Sequence, residues 1–108
     1  MKKRSIFVSN FSGINLNDAL RYLEGEGEVV YVTEGKTSIF NHDSLVRRIQ
    51  FELKPMTSDD VILIAGNSVI AVYVISEVIS RFGFANILIW DHNKPGYRLR
   101  TLNEKEKV

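Results

Sequence analysis

The sequence predicts a small α/β domain: a three-layer, Rossmann-like, mostly parallel sheet in the flavodoxin-like order 2-1-3-4-5, with an antiparallel C-terminal edge strand. Three observations predict it. First, short continuous apolar runs (Ile6–Val8, Val29–Val32, Val61–Ile64 and Ile87–Trp90) alternate with stretches of helical period, the signature of βαβ units whose strands are buried on both faces. Second, right-handed crossovers and short connections favour that strand order over its alternatives. Third, the last periodic stretch, Tyr97–Thr101, alternates apolar and polar residues, as a half-exposed strand does.

Ile6–Val8 runs into Asn10-Phe11-Ser12-Gly13, a cluster of turn formers. Asn15 is then placed to cap a helix whose apolar face is Leu16, Ala19, Leu20 and Leu23, stopped by Gly25 and Gly27. Val29–Val32 follows as the second strand. Beyond it the reading forks: Glu34-Gly35 is either a tight turn returning through Ser38–Phe40 as an extra strand, or a loop. The weakness of Glu-Gly as a hairpin signal favours the loop.

Asp43 or Ser44 is placed to cap the next helix, with Leu45, Val46, Ile49 and Leu53 on one face and Lys54-Pro55 as its stop. Met56–Asp60 reads as a polar connection across the bottom of the sheet. The most hydrophobic part of the chain comes next: the strand Val61–Ile64, the turn Gly66-Asn67-Ser68, and a helix over 69–82 closed by Gly83. That helix is rich in β-branched residues of weak helix propensity. Burying its aliphatic side chains, at about 1.5–3 kcal/mol each, must hold it. Asp91–Gly96 is strong turn chemistry that hairpins Tyr97–Thr101 onto the fourth strand.

At 108 residues, with 44% hydrophobic and 25% charged residues, the chain reads as one domain over 1–108, with 1–4 and 103–108 expected to fray. A net charge of +1 gives no electrostatic reason to expect nucleic acid as a partner. The absence of cysteine excludes disulfides, Cys-zinc sites and thiol catalysis. Asn67, Ser68, Ser76 and Glu77 interrupt the one stretch long enough to suggest a membrane span. A cytoplasmic protein with no membrane partner is the expectation.

In an open α/β sheet, ligands bind beyond the carboxyl ends of the strands where the strand order reverses. Here that point lies between the loops after strands 1 and 3, which contain Ser9, Asn10, Ser12 and Gly13 on one side and Gly66, Asn67 and Ser68 on the other. Both feed helix N-termini whose free N–H groups attract anions. These residues are expected to hold a phosphate-bearing small molecule or nucleotide, with Lys36 as outlying support. The plainer alternative is that Ser, Asn and Gly are what any short turn uses. Gly35-Lys36-Thr37 mimics part of a P-loop, but Val30 stands where its first glycine belongs and no helix follows directly. The pairs His42-Asp43 and Asp91-His92 suit caps and turns better than acid–base chemistry, because adjacent side chains on an extended chain point apart. No catalytic constellation, metal site or resident cofactor is indicated.

The helix over 67–82 carries more apolar surface than one small sheet requires. Either its outer face, with Val69, Val72 and Tyr73, packs on a second copy as a homodimer, or the neighbouring helix covers it. The sequence therefore leads to a non-enzymatic binding or regulatory module. The alternative is a protein–protein accessory or inhibitory factor, working through a helix face or the Tyr97–Arg100 edge with no small-molecule ligand.

Overall fold

The computed structural model describes residues 4–11, 13, 28–35, 40–91 and 93–103. Its elements are β1 (Ser5–Val8), β2 (Glu28–Tyr31), α1 (His42–Glu52), β3 (Val61–Leu63), α2 (Ser68–Phe82), β4 (Phe84–Trp90) and β5 (Tyr97–Asn103). The sheet has five strands in the order β2-β1-β3-β4-β5, parallel except for the β4–β5 pair. This is the expected order. The helix expected over 15–24 and the fork at 36–39 lie outside the described residues.

Register decides which side chains share a face. Phe7 pairs with Val30 and Ile62, and Ile62 with Ile87. These residues form one face, on which α1 contributes Leu45 and Ile49 and α2 contributes Ile70, Val74 and Val78. The opposite face carries Ile6, Val8, Val61, Leu63 and Leu88, equally buried. Both faces of the sheet are therefore covered, which is why the strands read as unbroken apolar runs rather than alternating ones.

Both described helices start on an asparagine. Asn67 Oδ1 accepts from the N–H groups of Val69 (2.8 Å) and Ile70 (3.4 Å) at the start of α2. Asn41, rather than Asp43 or Ser44, caps α1 by accepting from Ser44 N at 3.3 Å, which leaves Asp43 in the first turn where its charge suits the helix dipole. Gly83 closes α2 in the left-handed region at φ 85° and donates its N–H to Ile79 O at 2.7 Å, as the glycine was expected to do.

Three further differences from the sequence reading, and one fastening it did not address, concern the partners that side chains and strand ends find. Strand β4 starts at Phe84 instead of Ile87, and β5 continues to Asn103, because the two pair along their whole length from Trp90↔Tyr97 to Phe84↔Asn103. Asn103 is thus a strand residue and not a frayed end. Arg81, near the end of α2, donates through its guanidinium to the carbonyls of Leu53, Lys54 and Met56, fastening the end of α2 to the chain leaving α1. Tyr73 does not face outward. Its hydroxyl lies 2.9 Å from His42 Nδ1, so it joins the two helices, while Val69 and Val72 remain exposed.

Asp91 organises the β4–β5 turn. Its Oδ1 accepts from the N–H groups of Asn93 (2.9 Å) and Lys94 (3.3 Å), and its Oδ2 lies 3.4 Å from Arg98 Nε. These contacts, the Asn93 N–H foremost, hold its carboxyl below the ordinary aspartate value. The fold thus favours the charged form. Its contribution to stability is complete above about pH 4, the unfolded value, and is lost as pH falls through the lowered folded value. A carboxyl-detected NMR titration is expected to place the Asp91 midpoint below that of an unstructured aspartate. Asp91→Asn should remove that part of the acid dependence of unfolding.

Candidate functional site

The carboxyl edge of the sheet is where the sequence places a site, and it is held together by side chains from the loops after β1, β2 and β3. Ser9 is buried, and its hydroxyl both donates to Ala65 O and accepts from Ala65 N, each at 3.0 Å. Two short side-chain bonds thus lock the β1 loop to the β3 loop, 56 residues apart. Asn10, also buried, donates through Nδ2 to Thr33 Oγ1 (2.9 Å) and Gly35 O (3.0 Å) and accepts through Oδ1 from Asn67 N (3.2 Å). Thr33 in turn donates its hydroxyl to Ser9 O at 2.8 Å. Backbone bonds carry the pairing of β1 with β2 beyond the strands, from Phe11 N to Thr33 O and from Gly35 N to Phe11 O.

Gly66 makes this knot sterically feasible. It has φ +68°, and a Cβ built there would sit 2.2 Å from Asn10 Oδ1 and 2.7 Å from the Asn10 carbonyl oxygen. A real side chain cannot approach so closely, so glycine is required both for its backbone conformation and for the space.

The structure therefore brings Ser9, Asn10, Gly66 and Asn67 together at the strand-order reversal, as expected. Ser68 is exposed at the first position of α2, and Gly13 is exposed with φ +87°. Ser12 and Lys36 lie outside the described residues. Ser9 and Asn10 turn inward: the bonds above engage their side-chain polar atoms with neighbouring loops, and among the described residues every buried side-chain nitrogen and oxygen has a partner. The first helical N–H groups of α2, a natural anion cradle, are occupied by the Asn67 side chain. Sequence reasoning missed Thr33, the hub between Ser9 and Asn10. No spacing rule connects it to either; only its place just past the second strand, the neighbour of the first in the expected strand order, hinted at it.

Because Asn10 anchors three loops, Asn10→Ala is expected to lower stability by about 2–3 kcal/mol, roughly the cost of leaving buried donors and acceptors without partners. Chemical denaturation should show a lower midpoint with an unchanged slope, the mark of altered stability without altered compactness.

A second recess lies between the two described helices. Val46 and Ile49 line its apolar part, His42, Tyr73, Ser76, Glu77 and Ser80 supply the polar groups, and its volume is about 280 Å³. The His42 and Tyr73 rings stand 5.4 Å apart. Among the described residues no three His, Asp or Glu side chains cluster as metal ligands, and no helix is long and apolar enough to cross a membrane.

Fold and edge together define a small α/β domain with a mostly parallel five-stranded sheet, whose reversal-point loops are closed by their own side chains. The chain belongs to the Phage Pam3 gp32-like protein family, whose model matches residues 5–104. No curated protein and no solved structure matches it.

Proposed function

We propose that this protein is a protein–protein interaction module, a small accessory or regulatory factor of phage origin. The observation that carries this reading is the exposed apolar flank shared by α2 and the β4–β5 hairpin. Val72 is 63% exposed, and Ile89 and Leu102 are each 45% exposed. Register places Ile89 and Leu102 on the same side of the hairpin as α2, and exposed apolar residues gathered on one face support an interaction surface where single scattered ones would not. The family's printed name, which refers to a phage protein, is the support for the phage context.

The test is comparative capture from a lysate of phage-infected cells, using the protein and its Ile89→Asp/Leu102→Asp variant. A protein retained by the first and lost with the second supports the reading. Capture that ignores the substitutions counts against it. A homodimer through the exposed face of α2, with Val69 and Val72, is the self-associating form of the same reading. Sedimentation over a range of concentrations detects it.

A second reading keeps the small-molecule ligand. The exposed positions of Gly13, Asn67 and Ser68 at the carboxyl edge favour it, with Lys36 as the candidate cation. A phosphate-bearing molecule or nucleotide bound there would stabilise the folded state by mass action. A rise in melting temperature with millimolar nucleotide or phosphate, removed by Asn67→Ala, would support this reading over the first.

A further inference from the structure

Helices α1 and α2 lie side by side and run in the same direction: His42 meets Tyr73 near their starts, and Arg81 reaches the carbonyls of Leu53, Lys54 and Met56 at their ends. Their facing flanks do not close fully. His42, Val46 and Ile49 form one wall of a recess of about 280 Å³, and Tyr73, Ser76, Glu77 and Ser80 form the other. Both sets recur at steps of three and four residues, so each lies on one flank of its helix. Along α2 the wall extends about 10 Å from Tyr73 to Ser80. Ile49 is buried and makes the floor. An apolar floor with a few convergent polar groups is the make-up of a ligand site, and the volume falls just below the usual range of about 300–1,000 Å³, so the ligand is small.

The polar groups of the α2 wall are hydrogen-bond acceptors. The Tyr73 hydroxyl lies 2.9 Å from His42 Nδ1, and whichever group donates, the phenolic oxygen keeps a lone pair. Ser76 and Ser80 add hydroxyls, and Glu77 adds a half-buried carboxylate. The arginines of both helices are engaged elsewhere. Arg47 donates to Asp43 O at 3.3 Å, Arg48 to Val32 O at 3.2 Å, and Arg81 to the three carbonyls beyond α1. Among the described residues Glu77 makes no ion pair or hydrogen bond. A carboxylate partly withdrawn from water and lacking a counter-charge favours a cationic occupant.

We propose that this recess binds a primary ammonium carried on a short apolar stem. An ammonium has donors only, which suits the Glu77 carboxylate and the hydroxyls beside it, while the stem covers Val46 and Ile49. An anion would face Glu77 directly. A metal ion would lack ligands, since among the described residues no three His, Asp or Glu side chains cluster. A free amine and the lysine side chain of another protein present the same chemistry. A depression that shares His42 and Val46 continues past Asp43 and Arg47, whose charges are opposite, and gives a longer stem a way out. The recess shares no residue with the flank of Val72, Ile89 and Leu102, so the two surfaces are tested separately.

Pentylamine, pentanol and Nα-acetyl-lysine amide are titrated into isotope-labelled protein and followed by amide NMR. Pentylamine is expected to shift Val46, Tyr73, Glu77 and Ser80, and to bind about tenfold more tightly than pentanol, the margin that one charge-assisted hydrogen bond supplies. Glu77→Gln, close in size and checked for an unchanged melting curve, should remove that preference. Lysine amide binding as tightly at the same residues supports the site and assigns it to a lysine side chain. Binding of pentylamine without the lysine amide supports the site and assigns it to a free amine. Equal binding of pentylamine and pentanol, absence of shifts at millimolar amine, shifts confined to other residues, or a preference that survives Glu77→Gln overturns the proposal. The interaction reading fails on different grounds, if capture is insensitive to Ile89→Asp/Leu102→Asp.

Discussion

Gly66→Ala is expected to destabilise the protein by about 3 kcal/mol. Forcing a non-glycine residue into the left-handed region contributes roughly 1–2 kcal/mol of that. The remainder is steric. The new Cβ would meet Asn10 Oδ1 at 2.2 Å and the Asn10 carbonyl oxygen at 2.7 Å, and the carbonyl belongs to backbone that cannot swing aside without disturbing the loop after β1. For a domain of this size a loss of that magnitude lowers the melting temperature by about 12–20 °C. Gly35→Ala and Gly83→Ala are the controls. Both glycines have positive φ, at +60° and +85°, but nothing lies within 4 Å of a Cβ at either. Each should therefore show the conformational penalty alone, about 1–2 kcal/mol. Thermal and urea melts of the three variants separate strain from collision. Equal losses at all three positions would refute the packing argument.

Asp60→Ala is expected to have a comparable effect at the opposite edge of the sheet. Asp60 is 2% exposed. Its Oδ1 accepts from Ser5 N at 2.9 Å, and its Oδ2 accepts from Thr57 N at 2.8 Å and from the Thr57 hydroxyl at 3.3 Å. The carboxylate thereby ties the first residue of β1 to the turn that enters β3. Hydrogen bonds to a charged group are stronger than neutral ones, and alanine would leave the buried Ser5 donor and the half-buried Thr57 donors without this partner. A loss of about 3 kcal/mol follows. Asp60→Asn keeps one carbonyl oxygen and should retain part of that stability. A denaturation midpoint for Asp60→Ala within experimental error of the parent would show that solvent replaces the carboxylate at no cost.

The strand order was legible because of where the apolar residues fall. Ile6–Val8, Val61–Leu63 and Ile87–Leu88 are buried on both faces, and a strand in that position must be apolar throughout. Gly83 was likewise readable as the end of α2, since it acts through its own local backbone. What escaped depends on partners remote in sequence. Phe84–Asn86 is ordered by pairing with β5, and nothing local to Phe84-Ala85-Asn86 announces it. Asp60 looked like one more polar residue in a connection, because its burial is set by the amino end of β1. Asn41, Asp43 and Ser44 are all good caps, and only the geometry of α1 chooses among them.

The candidate site was legible as a place and less so as a state. Loop composition correctly gathered Ser9, Asn10, Gly66 and Asn67 at the reversal of strand order. Composition could not show that Ser9 and Asn10 turn inward, since a hydroxyl or amide aimed at a ligand and one aimed at a neighbouring carbonyl are the same letter in the sequence. Tyr73 illustrates the same limit on a helix: its period put it near the outer face, and the nearness of His42 drew its hydroxyl toward α1.

The mixed direction of the sheet also divides the order in which its parts can assemble. β4 and β5 close through a short turn, so their pairing fixes little chain and forms quickly. The β1–β3 pairing brings together residues as far apart as Ile6 and Val61, and the Ser9–Ala65 and Asn10–Asn67 bonds span similar distances. Closing those long segments must precede any reward from the contacts they make. The hairpin is therefore suited to form first and the knot at the carboxyl edge last, which makes that edge the final check that all three loops have arrived in register.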